Sequence, residues 1–182
     1  MQLARESEQS SGPPVSEAGL QRVLDSLPAG AYTCDAEGLI TYYSPLAEAI
    51  WGRAPKLQSP EDRYCGSFKL YWSDGTPMRH DECWMARALQ DGTKYNRREV
   101  LIERPDGTRT LGLAYANPLR DPQDKIIGAL NVVFEFGVHQ PARADEVKTP
   151  VVRPIPDDAA LAMVEIVLGI SALTARTRSL PN

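Results

Sequence analysis

The sequence predicts an α+β fold organised on an antiparallel sheet, and three observations carry that prediction. Residues 98–103 and 109–116 are β-prone runs on either side of Pro105-Asp106-Gly107. Asp-Gly between such runs is a strong hairpin signal, because glycine supplies the positive φ of a tight turn. A third run, residues 125–136, follows a turn built from Asp121, Pro122 and Asp124, which makes the three runs a meander. Well before them, Leu20, Val23, Leu24 and Leu27 recur at helical spacing.

The meander alternates with period two, but neither side is polar. Leu111, Leu113 and Tyr115 fall on one face, with Ile126, Leu130, Val132, Phe134 and Phe136 of the next strand. Thr110, Gly112, Ala114, Ala116, Ala129, Asn131 and Val133 fall on the other. A sheet covered on one side only would carry polar residues on the second. Both faces are therefore expected to be covered, one by local helices and the other by a further helix or another subunit.

Element by element, residues 1–15 are polar and proline-rich and read as a disordered tail. Ser16 caps a helix that Pro28 stops. Residues 29–35 and 39–43 read as a hairpin around Ala36-Glu37-Gly38. Ser44-Pro45 opens a short helix with Leu46, Ala47, Ile50 and Trp51, closed by Gly52. Residues 53–76 read as irregular, an aromatic-rich lid followed by a turn at 72–77. His80 or Asp81 caps a helix running to about Gln90, with Gly92 as its stop. The meander closes a domain spanning 16–137. Residues 138–157 read as a proline-rich linker, 158–177 as a last helix and 178–182 as a tail.

Composition narrows the function. At 182 residues and 42% hydrophobic, the chain has room for one packed domain with tails. A formal charge of −4 and a pI near 5.3 argue against a nucleic-acid partner. No apolar run reaches bilayer length, since the best, 159–170, contains Glu165. The first residues lack a signal-peptide layout. Cys34, Cys65 and Cys83 form no Cys-x-x-Cys and cannot all pair, so free thiols in a reducing, bacterial-type cytoplasm are expected. No nucleophile elbow, phosphate loop, phospho-acceptor helix or kinase ATP-binding box is present, and His139 has no Ser or Asp constellation around it. A non-enzymatic role is expected.

Leu27-Pro28-Ala29-Gly30 leading into Thr33-x-Asp35-x-x-Gly38-x-Ile40-x-Tyr42 resembles the opening of a PAS domain. Ser44-Pro45-x-Ala47-x-x-Ile50-Trp51-Gly52 looks like the motif that follows it there. Residues 70–77, then Asp81-Glu82-x-x-Met85-Ala86-x-Ala88-Leu89-x-x-Gly92, are similar to sensor modules ahead of bacterial histidine kinases. Arg104-Pro105-Asp106-Gly107-Thr108 and Ile126-Ile127-Gly128-Ala129 complete a match over about residues 20–136. The resemblance implies a five-stranded antiparallel sheet with short helices on one face. It also implies a sensory or interaction role in signal transduction, commonly through a homodimer or a partner such as a histidine kinase. A fragment of a sensor kinase lacking its catalytic domain, and a ketosteroid-isomerase-like pocket protein, are alternatives. The second would place its helices before its strands.

The resemblance leaves the cofactor unknown, because one fold hosts several. His80 occupies the helix that carries the axial ligand in haem-binding PAS domains, which makes a haem gas or redox sensor the alternative; a helix-capping role is the reading preferred for it. Cys65, His80 and Cys83 are of metal-ligating types but irregularly spaced, and no metal is expected. Cys65 lies near the flavin-reactive cysteine of light-sensing PAS domains without their Asn-Cys-Arg surround. A non-covalent pocket is the remaining candidate: Trp51, Phe68, Tyr71, His80, Trp84 and Tyr115 around the room left by Gly112, Ala114 and Ala129.

Overall fold

The computed structural model describes residues 16–139 and 156–178. The expected tail before residue 16, most of the expected linker and the last four residues lie outside them. Helix α1 (Glu17–Ser26) is capped by Ser16, whose hydroxyl accepts from the Gly19 N–H at 3.1 Å. Strands β1 (Gly30–Asp35) and β2 (Ile40–Tyr43) pair as the first hairpin. Helix α2 (Pro45–Trp51) begins at Ser44 and ends at Gly52. Ser44 is buried and does more than cap. Its Oγ accepts from the Ala47 N–H at 3.3 Å and from the Ala31 N–H at 3.0 Å, tying α2 to β1.

Two elements depart from the sequence reading. Within the stretch expected to be irregular, β3 (Lys69–Tyr71) pairs with β4 (Pro77–Met78) and with β5 (Tyr95–Glu103). The sheet therefore has seven strands, not five. Asp74-Gly75 makes the turn, with Asp74 Oδ1 accepting from both the N–H and the hydroxyl of Thr76. Strands this short carry no readable alternation. The second departure is at α3 (Trp84–Asp91), which starts after His80 and Asp81 rather than at them. His80–Glu82 form a separate 3₁₀ turn, closed by the Glu82 carboxylate accepting from the Arg79 N–H at 3.1 Å. Cys83, extended, breaks it from α3.

Strands β6 (Arg109–Arg120) and β7 (Ile126–His139) run longer than the sequence runs suggested, and β7 takes in His139, expected in the linker. All pairings are antiparallel, in the order β2-β1-β7-β6-β5-β3-β4. Helix α4 (Asp157–Arg178) closes the described chain and packs on β6 and on α1.

Both faces of the sheet are covered. Ala114, Ala129 and Val133 meet α2, α3 and the intervening segment, including Ile50, Trp51, Met85 and Ala86. Tyr115, Leu130, Val132 and Phe134 meet α1 and α4 through Leu24, Ala160, Val164 and Val167. The bulky face is thus closed by helices of the same chain.

Candidate functional site

Beneath the small-residue face lies a cavity of about 20 Å³, walled by Tyr32, Trp51, Cys65, Leu70, Cys83, Trp84, Val100, Ile102, Ala114, Asn131 and Val133. That is space for about one water. The room offered by small strand residues is taken up by large partners. A Cβ on Gly112 would stand 2.8 Å from Val133 Cγ1, and one on Gly66 would stand 2.6 Å from the Trp51 ring. Trp51 itself is 2% exposed and meets the Tyr32 ring edge-on at 5.0 Å.

A hydrogen-bonded line crosses the cavity wall. Tyr32 donates its hydroxyl to the Tyr64 carbonyl at 3.2 Å and accepts from Asn131 Nδ2 at 3.1 Å. Asn131 Oδ1 accepts from the Tyr115 N–H at 3.2 Å, so the line ends on the backbone of central strand β6. Tyr64 holds φ at 69°, a left-handed conformation that is an outlier for a bulky side chain and costs on the order of 1 kcal/mol or more. Its N–H is fixed to the Gly38 carbonyl at 2.8 Å.

The thiols surround the same tyrosine. Burial pushes the Tyr32 hydroxyl and the Cys34, Cys65 and Cys83 thiols above their ordinary pKa values, so all four are protonated near neutral pH. Cys65 Sγ donates to Ser67 Oγ at 3.2 Å. His80 Nε2 lies 3.1 Å from the Ser67 carbonyl and 3.2 Å from its Oγ, and the carbonyl requires a proton on that nitrogen. Desolvation lowers the His80 pKa, favouring the neutral ring. Arg53 completes the outer wall, donating to the Gly66 carbonyl at 3.0 Å and pairing with buried Asp62 at 2.7 Å.

Of the residues proposed from sequence, Trp51, Trp84 and Ala114 line the cavity, while Gly112 and Ala129 sit on the same sheet face beside it. The other four are elsewhere. His80 is behind the wall, clamped to Ser67. Phe68 is 44% exposed, with Lys69 Nζ 5.0 Å from its ring. Tyr71 is at the sheet edge, donating to Glu103 at 3.0 Å under the Arg109 guanidinium. Tyr115 is on the opposite face against Phe134, as strand parity requires for a neighbour of Ala114. Sequence reasoning did not select Tyr32 or Asn131 as site residues. The available signal was Asn131 itself, one amide inside the apolar run 126–134. Among the described residues no three His, Cys, Asp or Glu side chains converge as a metal site.

Among solved structures, the chain is similar to the LOV protein of Rhodobacter sphaeroides, with a TM-score of 0.53 and 18% identity over 87% of this chain and 82% of that one. It is also similar to the PAS domain of the fruit-fly ELK potassium channel, with a TM-score of 0.50 and 14% identity over 65% of this chain and 94% of that one. The fold is that of a PAS domain. No family profile and no curated protein matches the chain. Within this PAS fold neither cofactor suggested by the resemblance fits. Pockets for molecules of that size run to about 300–1,000 Å³, far above this cavity. Asn131 is committed to Tyr32 and Tyr115, and His80 Nε2 to Ser67, leaving neither directed at a flavin or a haem iron. No helix among the described residues is long and apolar enough to cross a membrane.

Proposed function

We propose that this PAS domain is a non-catalytic sensory and interaction module of bacterial, cytoplasmic signal transduction. Changes around Tyr32 reach the α1 and α4 face, where a second copy or a signalling protein such as a histidine kinase reads them. One observation supports this above others: the line from Tyr64 through Tyr32 and Asn131 runs from the cavity wall to the backbone N–H of Tyr115, whose ring packs in the core under α1 and α4 on the far face. Interaction ranks ahead of ligand binding, because the cavity takes nothing larger than a water without side-chain movement. The outer side of α4 adds support for a partner, since Leu161 and Ile166 are 39% and 61% exposed there.

Amide NMR on the Tyr32→Phe protein tests the relay. Loss of the hydroxyl is expected to shift the Tyr115 amide and those of α4 residues over Tyr115. Shifts confined to the cavity wall would remove the basis for the reading. Native mass spectrometry of the same samples reports stoichiometry and any retained small molecule.

A further inference from the structure

On the outside of α3 five side chains from three elements stack in alternation. Trp72 comes from the β3–β4 turn, Trp84 and Arg87 from α3, Tyr95 and Arg98 from β5. The Arg87 guanidinium carbon lies 5.1 Å from the Trp72 ring centre and 5.4 Å from that of Trp84. The Arg98 carbon lies 5.5 Å from Trp84 and 5.9 Å from Tyr95. The rings themselves touch, Trp72 to Trp84 edge-on at 5.4 Å and Trp84 to Tyr95 at 5.5 Å. The four guanidinium–ring distances and the two ring–ring distances all lie in the range where such groups attract.

Neither arginine has a carboxylate partner among the described residues, although acids are close by. Arg87 Nε donates to the Glu82 carbonyl, which orients the group and leaves its outer N–H groups uncommitted. The Asp91 carboxylate is occupied by the Tyr95 hydroxyl and by the Thr93 N–H. Trp84 is held in turn, its indole N–H donating to the Glu99 carbonyl at 3.0 Å. Arg87 is thus oriented by a hydrogen bond between two rings, and Arg98 lies over two rings with its edge toward solvent. That is the preorganised form in which arginine binds carboxylates bidentately with little further loss of freedom. Trp, Tyr and Arg are also the residue types that dominate interface energetics.

We infer that this Trp-Arg ladder is a docking surface for an acidic segment of a partner protein, one presenting carboxylates to Arg87 and Arg98 together. A nucleic acid fits less well. The ring faces that would stack bases already carry guanidinium groups. The inference is independent of the relay across the sheet, because it involves neither Tyr32 nor α4.

Fluorescence anisotropy of a fluorescein-labelled decaglutamate peptide, titrated with the full chain at low salt, tests it. Binding is expected, with affinity falling about tenfold or more in R87Q/R98Q, in line with the loss of two charge-assisted contacts. The R87K/R98K protein keeps the charge without the planar stack and is expected to lose affinity by about threefold. K56Q/K125Q removes two positive charges elsewhere and is expected to stay within about twofold of wild type. Melting curves establish that each variant is folded. The inference is overturned if the peptide does not bind, if K56Q/K125Q loses as much as R87Q/R98Q, or if a ten-nucleotide oligothymidine binds more tightly through the same arginines.

Discussion

The two faces of the sheet solve the same packing problem in opposite ways. On the cavity side the strands contribute small groups (Gly112, Ala114, Ala129) and the covering elements contribute large ones (Trp51, Ile50, Met85). On the far side the strands are large (Tyr115, Leu130, Phe134) and the helix α4 is small where it touches them (Ala160, Val164, Val167). The cavity side is also cross-linked by hydrogen bonds from Ser44, Tyr32, Asn131, Ser67 and Arg53. Against that, what α4 adds to its apolar contacts with the sheet domain, among the described side chains, is the ion pair of Lys94 with Glu165 at 3.5 Å. Apolar contact holds without fixing direction, whereas hydrogen bonds specify one arrangement. One face is fixed by directional bonds; the other is held chiefly by apolar packing.

The largest effect should come from the cavity side. Trp51→Ala removes a ring packed on Tyr32 and Tyr43 and is expected to cost about 3–5 kcal/mol in urea unfolding. Val164→Ala, although the valine is also fully buried, deletes about two methylene equivalents and should cost about 1.5 kcal/mol. Equal losses would erase the proposed asymmetry. Overpacking sharpens it: Gly112→Ala puts a methyl against Val133 and is expected to cost about 1–3 kcal/mol, measured the same way.

How much of this the chain announces in its letters follows the same division. Long-period signals were legible. The helical stripe of α1, Ser44-Pro45 at α2, Asp106-Gly107 in the meander and the double apolar face all correspond to observed elements. The β3–β4 hairpin was not, because three residues and two are too few for alternation to show. The site was only partly legible for a different reason. Small residues in a strand announce that something approaches closely, and they do not say whether it is a ligand or a tryptophan. Aromatic content alone points Phe68 and Tyr71 into the pocket, yet β3 carries Tyr71 to the sheet edge and leaves Phe68 just before it, exposed. Tyr115 was assigned against its own strand parity.

A smaller, pH-dependent effect tests whether the added edge hairpin belongs to the rigid part. Glu103 accepts from Lys69 Nζ at 3.0 Å, Arg109 Nε at 2.8 Å and Tyr71, and these partners hold its pKa at about 2, below the ordinary 4.5. A carboxylate with a depressed folded pKa stabilises the fold above its unfolded value and loses that contribution as pH falls. The contribution should therefore be complete above about pH 4.5 and fade toward pH 2. Glu103→Gln is expected to flatten this part of the stability profile, at a cost near neutral pH of about 1–2 kcal/mol, discounted because Lys69 is half exposed. An unchanged acid limb in the variant would show that the hairpin is not held by this carboxylate.

The smallest expected effect concerns the polar contact between α4 and the sheet domain. Lys94 and Glu165 are 56% and 52% exposed, and an ion pair that open to water is worth about 0–1 kcal/mol. Lys94→Gln should leave the melting temperature nearly unchanged, and raising the salt concentration should not loosen α4. If α4 amides in the variant exchanged with solvent much faster than in wild type, its attachment would rest on charge rather than on Ala160, Val164 and Val167. The far face would then be latched by charge rather than packed, and the contrast between the two faces would fail at this point.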